Sequence, residues 1–260
     1  MLSNSSEELN LMQAEVKGTV MPTLEIQLAP GEHVVTPHGE LAWMTSGIQM
    51  SQTTGNNGGG GGGFMGGLKR MVGGGGITLT KYEGPGSVTF AAKVPGHIVP
   101  IDIRNGDSLM VHRHGFLCGT PGITVGAGFQ QGFRAGLFGG DGFVMQRLEG
   151  QGRAWIEVGG EVTTYELPPG QTVLVHPGHV GAFEASVQFE ITRIRGIANL
   201  MFGGDGLHLV ALTGPGRVYL QSMPVPNLAH ALQPYLVTQA AGEAVAGGAV
   251  GGALGSFMRG

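Results

Sequence analysis

Gly76-Ile-Thr-Leu-Thr-Lys-Tyr-Glu-Gly84-Pro-Gly86 is the first of three matching stretches; Gly142-Phe-Val-Met-Gln-Arg-Leu-Glu-Gly150-Gln-Gly152 and Gly206-Leu-His-Leu-Val-Ala-Leu-Thr-Gly214-Pro-Gly216 are the others. In each, seven residues separate the first two glycines and one separates the second from the third. The copies begin at positions 76, 142 and 206, 66 and then 64 residues apart. Each runs on into a second alternating stretch, Val88-Thr-Phe90, Ala154-Trp-Ile156 and Val218-Tyr-Leu220. Period-2 alternation marks a half-buried strand, and a G-x-G turn supplies backbone angles that side chains resist. The pattern predicts three copies of one antiparallel hairpin.

A second element recurs around Gly31, Gly106 and Gly170, in Leu24-Glu-Ile-Gln-Leu-Ala-Pro-Gly31, Pro100-Ile-Asp-Ile-Arg-Asn-Gly106 and Tyr165-Glu-Leu-Pro-Pro-Gly170. The wider first interval is explained by an insertion around Gly55 to Gly63. Ahead of each G-x-G element lies a short apolar stretch, Phe64 to Gly73, Phe133 to Gly139 and Ile197 to Gly203, too short for a stable helix alone. No long helix intervenes between strands, which excludes a doubly wound sheet. The expected fold is all-β: three tandem strand-rich repeats in one domain, residues 16–235, between a tail at 1–15 and a Gly/Ala-rich tail at 236–260. Neither terminal third reads as a polar cap, so the repeats are expected to close around a pseudo-threefold axis and hide their sheet edges.

Composition narrows the function classes. The 260 residues include 51 glycines but only 12% charged residues, with a net charge of -4, so no basic excess exists to neutralise a phosphate backbone and no nucleic-acid partner is expected. No glycine-free run of 18 apolar residues offers a conventional membrane span. The single cysteine, Cys118, excludes an internal disulfide framework and reads as buried packing. An acidic beginning in place of a signal peptide suggests the cytoplasm.

Histidine supplies the sharpest chemical candidates. His112 and His114, two apart on an expected strand, would share a face and could reach one metal, with His176 and His179 in the corresponding place of the next repeat. Strand-end packing competes with that reading, because no spaced Glu and distal His follow. The aspartates of Gly139-Gly-Asp-Gly142 and Gly203-Gly-Asp-Gly206 suit turns better than a calcium loop, and the run Gly58 to Gly63 lacks the Gly-Lys-Ser/Thr ending of a phosphate loop.

The three apolar stretches form the candidate interaction surface: Phe64, Met65, Leu68 and Met71; Phe133, Leu137 and Phe138; Leu200, Met201 and Phe202. Gly247, Gly251 and Gly255 add a small-residue stripe in the tail, suited to close helix approach in an oligomer or a bilayer.

Phe64-Met-Gly-Gly-Leu-Lys-Arg, Val94-Pro-Gly-His-Ile-Val-Pro-Ile-Asp102, Phe138-Gly-Gly-Asp-Gly142, Pro177-Gly-His-Val180 and Leu212-Thr-Gly-Pro-Gly-Arg-Val218 follow one another in a specific order. Through them the chain resembles the altered-inheritance-of-mitochondria family of mitochondrial biogenesis proteins and their bacterial relatives, over roughly residues 16–223. The resemblance implies three tandem units similar to the tryptophan RNA-binding attenuator protein, a double-stranded β-helix type of architecture. It implies no catalytic residues, and in eukaryotes a link to inner-membrane organisation. The absence of a mitochondrial presequence and the long Gly/Ala tail depart from the eukaryotic pattern and suggest a bacterial member. Tryptophan or RNA binding is not carried over, since fold does not fix function.

These readings converge on a non-enzymatic scaffold without cofactor. It would self-associate as a homo-oligomer and contact membrane or partner proteins through its apolar loops and tail. A cupin-like metal enzyme using His112 and His114, with His176 as a further candidate ligand, and a small-ligand sensor are the alternatives.

Overall fold

A computed structural model of the protein describes residues 13–54, 78–131, 143–194 and 207–235. The chain divides into two compact units, Met1–Val225 and Pro226–Gly260. In the first unit, β1 (Gln13–Lys17) precedes three sets of six strands. The first set is β2 (Thr23–Leu28), β3 (His33–Pro37), β4 (Leu41–Met44), β5 (Gln49–Thr54), β6 (Thr78–Glu83) and β7 (Gly86–Ala91). The second is β8 (Gly96–Ile103), β9 (Ser108–His112), β10 (Phe116–Gly119), β11 (Ile123–Gln131), β12 (Phe143–Gly150) and β13 (Gly152–Gly159). The third is β14 (Val162–Leu167), β15 (Thr172–Val175), β16 (Val180–Glu184), β17 (Gln188–Ile194), β18 (Leu207–Thr213) and β19 (Gly216–Gln221). A short helix, α1 (Val225–Leu232), runs into the second unit.

The expected all-β fold of three repeats is present, and every ladder is antiparallel. Within a repeat the sixth strand lies between the first and third, and the fifth lies between the second and fourth. These two ladders face each other across a core, one per repeat. Leu24, Ile26, Tyr82, Val88 and Phe90 fill the first, Leu109, Val111, Phe116, Leu148 and Ile156 the second, and Val180, Phe183, Val210, Leu212 and Val218 the third. Even local irregularities repeat: the third strand of each set slips register against the sixth between Leu41 and Trp43, Phe116 and Cys118, and Val180 and Ala182.

The G-x-G elements differ from the hairpins expected of them. β6 and β7 lie in different sheets, as do β12 and β13, and β18 and β19. The turn is a corner that carries the chain across the sandwich. Alternation and a glycine turn suit a corner as well as a hairpin, so spacing alone does not separate them.

Repeats are joined where the third strand of one pairs with the second strand of the one before, β10 with β3 and β16 with β9. The result is four sheets, ordered β1-β2-β7-β4, β5-β6-β3-β10-β13-β8, β11-β12-β9-β16-β19-β14 and β15-β18-β17. At a seam both faces of a strand are covered. Leu117, Cys118 and Trp155 point into the first core while Phe116, Ala154 and Ile156 point into the second.

Closure around a pseudo-threefold axis would need a third seam, between β15 and β4, and here the expectation is corrected. Both are edge strands with one ladder partner each, so the row of sheets is open at its two ends among the described residues. Where the inner repeats place Trp155 and Tyr219 against the preceding core, the first repeat has Thr89, itself only 1% exposed.

Candidate functional site at the seams and free edges

One position of the sixth strand, occupied by Ala91, Glu157 and Gln221, organises the seams. Glu157 is buried, and its Oε1 accepts hydrogen bonds from the backbone N–H groups of Lys93 (2.7 Å) and Val94 (3.3 Å) in the linker between the first two repeats. Gln221 does the same office one repeat later, its Oε1 accepting from Gly159 N–H (3.0 Å) while its Nε2 donates to Gly178 O (2.9 Å). A histidine then meets the backbone carbonyl of each: His112 Nε2 lies 3.0 Å from Glu157 O, and His179 Nδ1 lies 2.7 Å from Gln221 O. The first repeat follows no other, and Ala91 suffices there.

Around Glu157 the seam concentrates charge. Lys93 Nζ lies 2.6 Å from Glu40 Oε1 and 4.0 Å from Glu157 Oε2, with both carboxylates almost wholly withdrawn from water. One oxygen of each, Oε2, is buried without a hydrogen bond. Burial pushes both carboxyls above the usual carboxylate range, the Lys93 ammonium pulls the other way, and Glu40 adds repulsion at Glu157. One cation shared by two buried acids ties the loop before β4, the repeat linker and β13 together.

The histidines do not assemble a metal centre. β9 ends at His112, and His114 sits in the exposed turn beyond it, so the two do not share a strand face as expected. Burial lowers the His112 pKa to about 4, keeping the ring neutral as it meets the Glu157 carbonyl. His176 and His179 pack edge to face with ring centroids 5.8 Å apart. Among the described residues no three His, Cys, Asp or Glu side chains converge as a metal site. Cys118 is a buried free thiol within the first core, pushed up in pKa by that burial. Two clefts of about 390 Å³ occur at non-equivalent places, one lined by residues including His38, Met50, Gln52 and Tyr82, the other by residues including Met110, Arg147, Phe183 and Phe189.

The two free edges form the second feature. Trp43 on β4 is 58% exposed and Leu174 on β15 is 53% exposed, whereas their counterparts at the seams are buried: Cys118 and Ala182 at 0%, Val35 at 4% and Met110 at 8%. Neither edge strand carries a charge or a proline.

Phe64, Met65, Leu68, Met71, Phe133, Leu137, Phe138, Leu200, Met201, Phe202, Gly247, Gly251 and Gly255 lie outside the described residues, as do the two Gly-Gly-Asp-Gly turns. Their points of attachment are described: the three loops join the fourth and fifth strands of the three repeats, β5 to β6, β11 to β12 and β17 to β18. Sequence reading missed Glu40, Lys93, Glu157 and Gln221. The mismatch of Ala91, Glu157 and Gln221 inside otherwise apolar repeat positions was the available signal.

A family model described as mitochondrial biogenesis AIM24 matches residues 14–223. The crystal structure of a Streptococcus pyogenes protein is similar with a TM-score of 0.66 at 22% identity, covering 87% of this chain and 100% of that one. At that identity the likeness shows the fold alone. No curated protein matches the chain.

Proposed function

We propose, for a chain that belongs to the mitochondrial biogenesis AIM24 family, a non-enzymatic scaffolding role in which it self-associates and contacts membrane or partner proteins through the loops and tail. The observation that carries this reading is the equivalence of the three loop attachments. Three apolar stretches hang from the same strand pair of three repeats, which multiplies a weak contact by three. A body with only 12% charged residues opposes such contacts little. Among the described residues no helix is long and apolar enough to cross a membrane. Each repeat is read as an attenuator-protein-like unit, supported by its six-strand, two-ladder plan, and the chain as a bacterial member.

Replacing Phe64, Met65, Leu68, Met71, Phe133, Leu137, Phe138, Leu200, Met201 and Phe202 by Ser should remove co-flotation with liposomes, and deleting residues 237–260 should weaken assembly. Native protein that ignores liposomes and other proteins and stays monomeric would sink the reading.

A further inference from the structure

We propose that copies of this chain join head to tail, with the β15 edge of one pairing antiparallel with the β4 edge of the next. This inference rests on the self-association reading and gives it a specific interface. The joint is one that the chain already makes twice, since β3 receives β10 and β9 receives β16 by the same strands of successive repeats. At the better paired seam, Phe183 lies opposite Met110, Ala182 opposite Val111 and Glu184 opposite Leu109. The other seam keeps that register, with Gly119 opposite Val35.

Positions transfer directly. Met44 pairs with Val88 as Gly119 pairs with Ala154 and Phe183 with Val218, while Leu174 pairs with Ala211 as Met110 pairs with Arg147 and Val35 with Lys81. In the joined copies Leu174 therefore faces Met44 of the next copy, Val175 faces Trp43 and Val173 faces Thr45. The combined sheet would run β17-β18-β15 and then β4-β7-β2-β1 of the next copy, the strand order of the two six-stranded sheets with β1 added.

Exposed edges in soluble proteins are ordinarily guarded by charge, proline or a bulge that turns the edge away. Leu41-Ala-Trp-Met44 and Thr172-Val-Leu-Val175 have no charge or proline, and the bulge at Leu41 and Trp43 is the one that both internal seams tolerate. The exposed Trp43 and Leu174 would take the buried places that Cys118 and Ala182, and Val35 and Met110, hold inside the chain. Two different surfaces meet in such a contact, so repetition ends either in a ring or in a filament.

Sedimentation velocity of the full chain over a concentration series tests this, with Leu174→Lys, Met44→Glu and the double variant. Native protein should exceed monomer mass as concentration rises. Each single variant should weaken association at least tenfold, and the double variant, which sets Lys against Glu across the joint, should restore it. All four proteins should keep the same circular dichroism, and the same melting temperature at concentrations where each is monomeric, because both positions lie on exposed edges. Association that neither single variant changes, or a double variant that stays dissociated, overturns the interface while leaving self-association through loops and tail standing. Native protein that is monomeric at every concentration overturns both; liposome co-flotation then reads the membrane part of the scaffold role alone.

Discussion

Glu157 and Gln221 show how one position of the repeat can do the same work with different charge. Both hold a backbone N–H at the end of the preceding repeat, but only Glu157 brings a buried negative charge close to another, on Glu40. A carboxyl raised in the folded state binds its proton more tightly there than in the unfolded chain. Its contribution to stability is thus fully present below about pH 4.5 and is lost as pH rises through the folded value. Glu157→Gln should match the native protein near pH 4 and exceed it in stability at pH 8, whereas Glu157→Ala, leaving two buried N–H groups without an acceptor, should cost about 1–3 kcal/mol at either pH. Urea denaturation across that range checks it; an unchanged difference between native and Gln forms would count against the buried charge pair. His112 works with the opposite sign: with its pKa lowered to about 4, its contribution is present above about 6.5 and is lost as pH falls toward 4. The histidines were visible in the sequence as residue types. The charge cluster was not, because Lys93 reaches Glu40 and Glu157 across separations of 53 and 64 residues, and only the seam brings them together.

The strands themselves were largely legible, since alternation and glycine spacing marked both strands at each G-x-G corner in all three repeats. Ladder partners were not. The second glycine of each corner, Gly86, Gly152 and Gly216, has a positive φ (146°, 153° and 139°), and a Cβ there would collide with the Thr45, Thr120 and Ser186 hydroxyls of the same repeat. Those contacts belong to a sandwich crossing and have no trace in local spacing. The sixth strand also records its neighbour: Trp155 and Tyr219 enter the preceding core, and Thr89 stands where no core precedes. Trp155→Ala should therefore cost about 3–5 kcal/mol, while Trp43→Ala, at the free edge, should cost under about 1 kcal/mol in dilute monomer. Denaturant unfolding distinguishes the two, and similar costs would mean that β4 is covered in the monomer.

At the scale of the whole first unit, three duplicated sandwiches share two internal seams and leave a third unmade. Periodicity revealed the number of repeats. It did not reveal whether the row closes, because the same two strands can meet within one chain or between two chains. The central claim is that β4 and β15 are free in the monomer and become paired on assembly. Amide hydrogen exchange, followed by mass spectrometry at low and high protein concentration, reads this strand by strand. Rapid exchange in β4 and β15 at low concentration, slowing at high concentration while β3, β9, β10 and β16 stay protected throughout, is the predicted result. Protection of β4 and β15 equal to that of the seam strands at the lowest concentration would contradict it.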